Sequence, residues 1–214
     1  MFRLCVALVV LGAVSLCAPA LAAGPPPVEA YGKREAVEQI SLSPSGERFA
    51  FVAVVGQART LVAMTADGKT PLVAVPVGQA KVVAVDWVGE DHILVEIYHT
   101  VPLGMDFEVS KAEFSTVVAI NLKTRTSIGV FEHHADVSDI VEHIYGAAQV
   151  GGRWYGYFGG ITYGADRDPS RHFLDHMWPD LYRVDLDTGA IDIAARGSEL
   201  AWDWLVGPDG QIIA

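Results

Sequence analysis

Past residue 38 the chain reads as short apolar runs separated by turn signals, with little of the 3.6-residue spacing of a helix. Two kinds of unit alternate along it. The first is a turn followed by an apolar strand. It occurs as Ser43-Pro44-Ser45-Gly46 into Arg48 to Val55, and as Val88-Gly89-Glu90-Asp91 into His92 to Tyr98. It returns as Val150-Gly151-Gly152-Arg153 into Trp154 to Gly159, and as Val206-Gly207-Pro208-Asp209-Gly210 into Gln211 to Ala214. The first residues of these turns are 45, 62 and 56 positions apart. The second unit is a hairpin. Thr60 to Thr65 and Pro71 to Val75 flank Asp67-Gly68-Lys69; Thr116 to Leu122 and Thr126 to Phe131 flank Lys123-Thr124-Arg125; Leu181 to Leu186 and Ala190 to Ala194 flank Asp187-Thr188-Gly189. In the last copy Tyr182, Val184 and Leu186 alternate with Arg183 and Asp185, which predicts one dry and one wet face.

Four strands in every 40 to 60 residues or so is the arithmetic of a propeller blade. The run Phe49 to Val55 is apolar on both faces, as a strand sandwiched between two neighbouring blades should be. A two-sheet sandwich, the competing all-β architecture, would wet one face of each strand. Val85-Asp86-Trp87-Val88-Gly89-Glu90-Asp91 is echoed, with one residue inserted, by Trp202-Asp203-Trp204-Leu205-Val206-Gly207-Pro208-Asp209. Trp87 and Trp204 are therefore expected at equivalent packing positions two blades apart. The fold class expected is all-β: an open, incomplete β-propeller over 39–214, about three blades plus the first strand of a fourth, with a spacer over 23–38. The repeat stops inside its fourth copy, which leads us to expect further blades beyond Ala214.

The N-terminus changes the setting of this domain. Met1-Phe2-Arg3 carries one positive charge, Leu4 to Cys17 is almost unbroken apolar sequence, and Ala18-Pro19-Ala20-Leu21-Ala22 supplies a turn and small residues. These are the three parts of a secretory signal, with cleavage expected after Ala22 and a periplasmic or secreted product. As a membrane anchor the run is short of the ~20 residues a span needs. As a lipobox, Val14-Ser15-Leu16-Cys17 has Leu16 where a small residue belongs.

Both cysteines, Cys5 and Cys17, fall inside the signal, so the mature chain has no thiol or disulfide chemistry. The net charge of −11 becomes one more negative when Arg3 leaves with the signal. So acidic a surface argues against nucleic acid and anionic lipid as partners.

The segment Val28 to Val52, with Tyr31-Gly32-Lys33 ahead of Ser43-Pro44-Ser45-Gly46 and the first strand, resembles the mature N-terminus of exported prolyl-oligopeptidase-family enzymes from Gram-negative bacteria. Asp86-Trp87 with Asp91-His92-Ile93-Leu94 is similar to that family's second-blade motif, and Tyr182 to Gly189 to its third-blade hairpin. The resemblance covers nearly all of the mature chain. It implies a propeller over an α/β-hydrolase domain, gating the access of peptide substrates to a catalytic serine. A subgroup cleaves the isopeptide bond of lasso peptides. No Gly-x-Ser-x-Gly elbow occurs in the sequence, so no catalytic residue is assigned and the chain alone is expected to be inactive. The alternative is a non-enzymatic periplasmic propeller that binds a ligand or a protein.

Several single residues suggest other chemistry, and each has a plainer role. His172 and His176 are four apart and would share a face if helical; His133, His134, Asp136, Glu142 and His143 add possible ligands. No third ligand has defined spacing, and these residues are read as polar loops between blades, with Asp166 to Arg171 a surface loop. Asp106, Glu108 and Glu113 could hold a cationic peptide terminus but read as a solvated face. Tyr155, Tyr157, Phe158 and Tyr163 could line a tunnel but read as packing. No Gly-rich loop leads a helix, so no nucleotide site is expected. No metal, cofactor or catalytic residue is assigned.

Overall fold

The structure, a computed structural model, describes residues 35–102, 109–164 and 173–213, with Pro27, Val28 and Gly32 before them. The expected signal peptide therefore lies outside the described residues. The chain divides into two compact units, Met1–Arg34 and Glu35–Ala214, and every strand among the described residues belongs to the second.

From residue 35 onward the described residues form strands, turns and irregular segments. Three four-stranded antiparallel sheets are each laid down in chain order. The first contains β1 (Val37–Leu42), β2 (Arg48–Val55), β3 (Ala58–Thr65) and β4 (Pro71–Gly78). The second contains β5 (Lys81–Val88), β6 (His92–Pro102), β7 (Lys111–Asn121) and β8 (Thr126–Gly129), and the third β9 (Val137–Val150), β10 (Arg153–Thr162), β11 (Asp180–Asp185) and β12 (Ile191–Ala195). A fourth sheet is a two-stranded hairpin of β13 (Leu205–Val206) and β14 (Ile212–Ile213). None of the sheets closes on itself.

Each turn-and-strand unit of the sequence is the second strand of a sheet, and each hairpin unit is its third and fourth strands. The opening strands β1 and β9 carry no such signal, and β5 and β13 are marked only by the echoed motif, at Val85 to Val88 and at Leu205 and Val206. β1 begins at Val37, so the expected domain start at 39 falls inside it. The fourth copy contributes two short strands, β13 and β14, where one is expected.

Consecutive sheets stack face to face. Between the first and second sheets lie Ala50, Val52, Leu61 and Ala63 against Val82, Val85, Ile93 and Val95. Between the second and third lie Leu94, Val117 and Ala119 against Val141, Phe158, Tyr182 and Val184, with Phe131 filling the gap left by the short β8. Ala148, Tyr157, Leu181 and Trp204 form a third cluster. Burying both faces of the second and third sheets removes most of their apolar surface from water, at roughly 25 cal/mol per Å².

Two expectations about faces are corrected. The strand Arg48–Val55 is fully buried at Ala50 and Val52, but Phe49, Phe51 and Ala53, on its other face, are only half-buried, because no sheet among the described residues covers that side. In β11 the wet face is reduced to the half-exposed Arg183: Asp185 is buried, because its carboxylate is consumed by the hairpin turn, where Oδ1 accepts the amides of Asp187 and Thr188. Asn121 does the same in the second sheet for Lys123 and Thr124. Thr65 serves the first sheet through the amide of Thr70.

The turns after the first and third strands of each four-stranded sheet share one end, the tight-turn end, and the polar ties between sheets are made there; the two-residue Gly56-Gln57 turn between β2 and β3 lies at the other end. Glu90 accepts from the Ser45 amide at 2.7 Å, and Arg48 donates to the Glu90 carbonyl at 2.6 Å. Trp87 Nε1 donates to the Ser41 carbonyl at 3.2 Å. The strand ends at Pro102, Lys111, Thr162 and Asp180 lie at the opposite end.

Candidate functional site

Alternate residues of β6 set the face that the second sheet turns toward the third: His92, Leu94, Glu96 and Tyr98, with Asp86 beside Leu94 on β5. Near the tight turns this face is aliphatic and packs on the third sheet. Further along, Glu96 and Tyr98 stand where an aliphatic pair would close the gap, and the sheets leave a cleft of about 730 Å³. Tyr98 and Trp154 give it aromatic walls, Trp87 borders it with its indole turned toward the first sheet, and Asp86, Glu96 and Glu142 line it with carboxylates. No lysine or arginine is among its described lining residues. Glu96 is half-buried and accepts a hydrogen bond from Ser115 Oγ at 2.7 Å, which fixes its position. Lys81 stands near the Tyr98 end, 5.4 Å from that ring and paired with Glu113 at 3.2 Å. Strands rather than loops carry every lining residue except Gly89.

Trp154 is seated by Gly89. That glycine has φ +57°, and a Cβ there would come 2.6 Å from the indole ring. Only a residue without a side chain permits both the turn and the ring.

Two polar clusters flank this cleft. At the tight-turn end, His92 and Asn121 of the second sheet meet Asp187 of the third, and a 550 Å³ hollow opens beside them. The hydrogen bond from His92, opposed by partial burial and joined by that from Asn121, holds the Asp187 carboxyl below its usual range. At the opposite end, Asp180 is fully buried. Arg196 donates to it at 2.9 Å and the Gly197 amide at 2.7 Å, and Thr162 donates a third bond. Tyr182 donates in turn to Thr162, and burial pushes its phenol above the usual value. These bonds pin the segment after β12 to the start of β11.

The residues singled out in the sequence disperse. His172, Asp106, Glu108 and the loop from Asp166 to Arg171 lie outside the described residues. His176 sits 3.2 Å from Asp180. His133 faces Glu132, and His134 reaches the Gly189 carbonyl at 3.0 Å. Glu142 and His143, expected in a loop, belong to β9 and reach the cleft; the bulges and Gly146 of that strand break the alternation that would reveal it. Among the described residues no group of three or more His, Cys, Asp or Glu could hold a metal ion. Tyr157 and Phe158 are core residues, and Tyr155 stacks on the Arg183 guanidinium at 4.9 Å. Trp87 and Trp204 occupy matching places: the first reaches β1 of the preceding sheet, and the second packs edge-on against Tyr145 in β9 of its own preceding sheet at 5.3 Å. Sequence reasoning misses the cleft itself. Its one signal is a charged residue, Glu96, in an otherwise apolar run.

Among the described residues no helix is long and apolar enough to cross a membrane. No family model matches the chain, and no curated protein matches it. Among solved structures it is similar to TolB from Acinetobacter baumannii, with TM-score 0.43 and 13% identity over 82% of this chain and 36% of that one. It is similar to an acylaminoacyl peptidase in complex with Z-Gly-Gly-Phe-chloromethyl ketone, with TM-score 0.42 and 13% identity over 81% and 26%. An ACO/RPE65 chimera gives TM-score 0.42 and 13% identity over 90% and 45%. The chain thus spans between about a quarter and under half of the length of these structures.

Proposed function

We propose that the stacked sheets are blades of a β-propeller, and that this propeller gates peptide access in an exported serine peptidase of the prolyl-oligopeptidase type. One observation carries the blade reading: three successive sheets repeat the same four-stranded meander in chain order and stack face to face. The matching places of Trp87 and Trp204 support it. The peptidase reading is supported by the order of the motifs around Ser43, Asp86 and Tyr182 in the sequence. In this reading residues 1–214 contribute the gate and no catalytic group, and the signal is removed after Ala22.

The test uses the native polypeptide, captured from the producing cells with an antibody against this chain. The expected result is a periplasmic or secreted species that begins at Ala23 and is labelled by a fluorophosphonate. A linear peptide and a lasso peptide assayed side by side would assign the subgroup. A captured species that starts at Ala23 and takes no label would overturn the peptidase reading. It would leave the second one, a periplasmic binding module, which the cleft between the second and third sheets favours because it needs no hydrolase to bind a ligand.

A further inference from the structure

We infer that the cleft between the second and third sheets binds the basic side chain of a peptide, arginine or lysine. This deepens the peptide-gating reading and rests on it. Shape comes first: a cavity of about 730 Å³ has room for a side chain and the flanking backbone, and its walls are built on paired strands. Tyr98 and Trp154 offer ring faces, which attract a flat guanidinium or an ammonium and also cover its aliphatic stem. Asp86, Glu96 and Glu142 fix the sign of the charge that is welcome there, with no cation in the described lining to neutralise them.

Glu96 is the informative member. The faces that join the first sheet to the second are aliphatic at the corresponding depth, with Ala50, Val52, Leu61 and Ala63 all fully buried. A carboxylate on an inter-sheet face forfeits that packing, and here it is held in place by Ser115 rather than by a cation. Lys81, the nearest lysine, is already engaged by Glu113 and stands at the rim. An acidic peptide would meet three like charges, and a purely aliphatic one would leave Glu96 without a counter-charge.

The probes are acetyl-Ala-Arg-Ala-amide and its norleucine counterpart, titrated into the chain and followed by calorimetry and by tryptophan fluorescence, since Trp154 lines the cleft. The arginine peptide is expected to bind about tenfold more tightly, with an advantage that shrinks as salt is raised. Glu96→Gln with Glu142→Gln should abolish that advantage, and Glu142→Gln alone, at an exposed position, should reduce it if the double variant does not fold. Equal affinity for the two peptides, no binding of either, or an advantage untouched by Glu142→Gln in a folded chain would overturn the inference. Binding needs no hydrolase. An arginine preference in a polypeptide that takes no fluorophosphonate label would keep the cleft and discard the peptidase, and the reverse pattern would discard the cleft alone.

Discussion

Asp187, at the tip of the hairpin between β11 and β12, holds His92 of the second sheet: its Oδ1 lies 2.8 Å from the imidazole Nε2. Asn121 donates to the same oxygen at 2.6 Å. Two N–H groups converging on one oxygen place the imidazole proton on Nε2, and Nδ1 is left buried without a partner. Asp187→Ala would strand both donors in a buried site. We expect a loss of about 1–3 kcal/mol, read as a lower midpoint in urea with an unchanged slope. No change in midpoint would show the contact to be incidental.

The same pair gives an acid dependence. Asp187 is held low by the hydrogen bond from His92 first, with Asn121 adding to it and partial burial opposing it. A depressed carboxyl contributes stability that is present above its ordinary value of 3.8 and is lost as pH falls through the lower folded value. Its side chain is 44% exposed, so solvent screening keeps the contribution small. Wild type should therefore lose more stability than Asp187→Ala between about pH 5 and 2. Parallel curves for the two would exclude the linkage.

On the alkaline side the sign reverses. Burial, then the neighbouring Asp203, pushes the Tyr145 phenol up to about 12. Burial also raises Tyr157 and Tyr182. A phenol with a raised value in the folded chain contributes stability that is complete below its ordinary value of 10.0 and disappears as pH climbs through the folded one. Absorbance titration should show phenols ionising together with unfolding above pH 10, and Tyr145→Phe should delay that unfolding. Free titration of all tyrosines near 10 in a folded chain would contradict this.

Gly89 and Gly46 form a matched test. Both sit in tight turns with positive φ, +57° and +73°, but only Gly89 faces an indole. Gly46→Ala should cost about 1 kcal/mol, the backbone term alone. Gly89→Ala should cost at least twice as much and shift the tryptophan emission, because Trp154 must move. Equal costs would mean that the ring is not held there.

Arg196 and Asp180 should be strongly coupled. Arg196→Ala leaves a fully buried carboxylate with Thr162, the Gly197 amide and His176 at 3.2 Å but without its guanidinium, and a cost of order 3 kcal/mol is expected. Asp180→Asn should recover part of it in the double variant, and a cycle without a coupling energy would refute the pairing.

The second to fourth strands of each sheet are legible in the sequence because Gly, Asp and Ser turns interrupt apolar runs at regular intervals. The opening strands β1 and β9 are not. β1 carries Glu38, Gln39 and Ser41, with Gln39 at φ 52°, and β9 carries Asp139, Glu142 and His143 with three register shifts. Bulges break the period of two on which such reading depends. Alternation puts Asp185 on a wet face because it says nothing about a carboxylate that caps its own turn. The cleft requires knowing which sheet faces Glu96, which depends on stacking and not on any local pattern.

The polar ties that join the first three sheets through Glu90, Ser41, Asp187 and Gly189 all gather beside the tight turns. The stack is bound like the pages of a book, along one spine. Connections that leave from the fore-edge can lengthen or shorten without loosening the binding, so variety in what the molecule recognises can accumulate there at little cost to its stability.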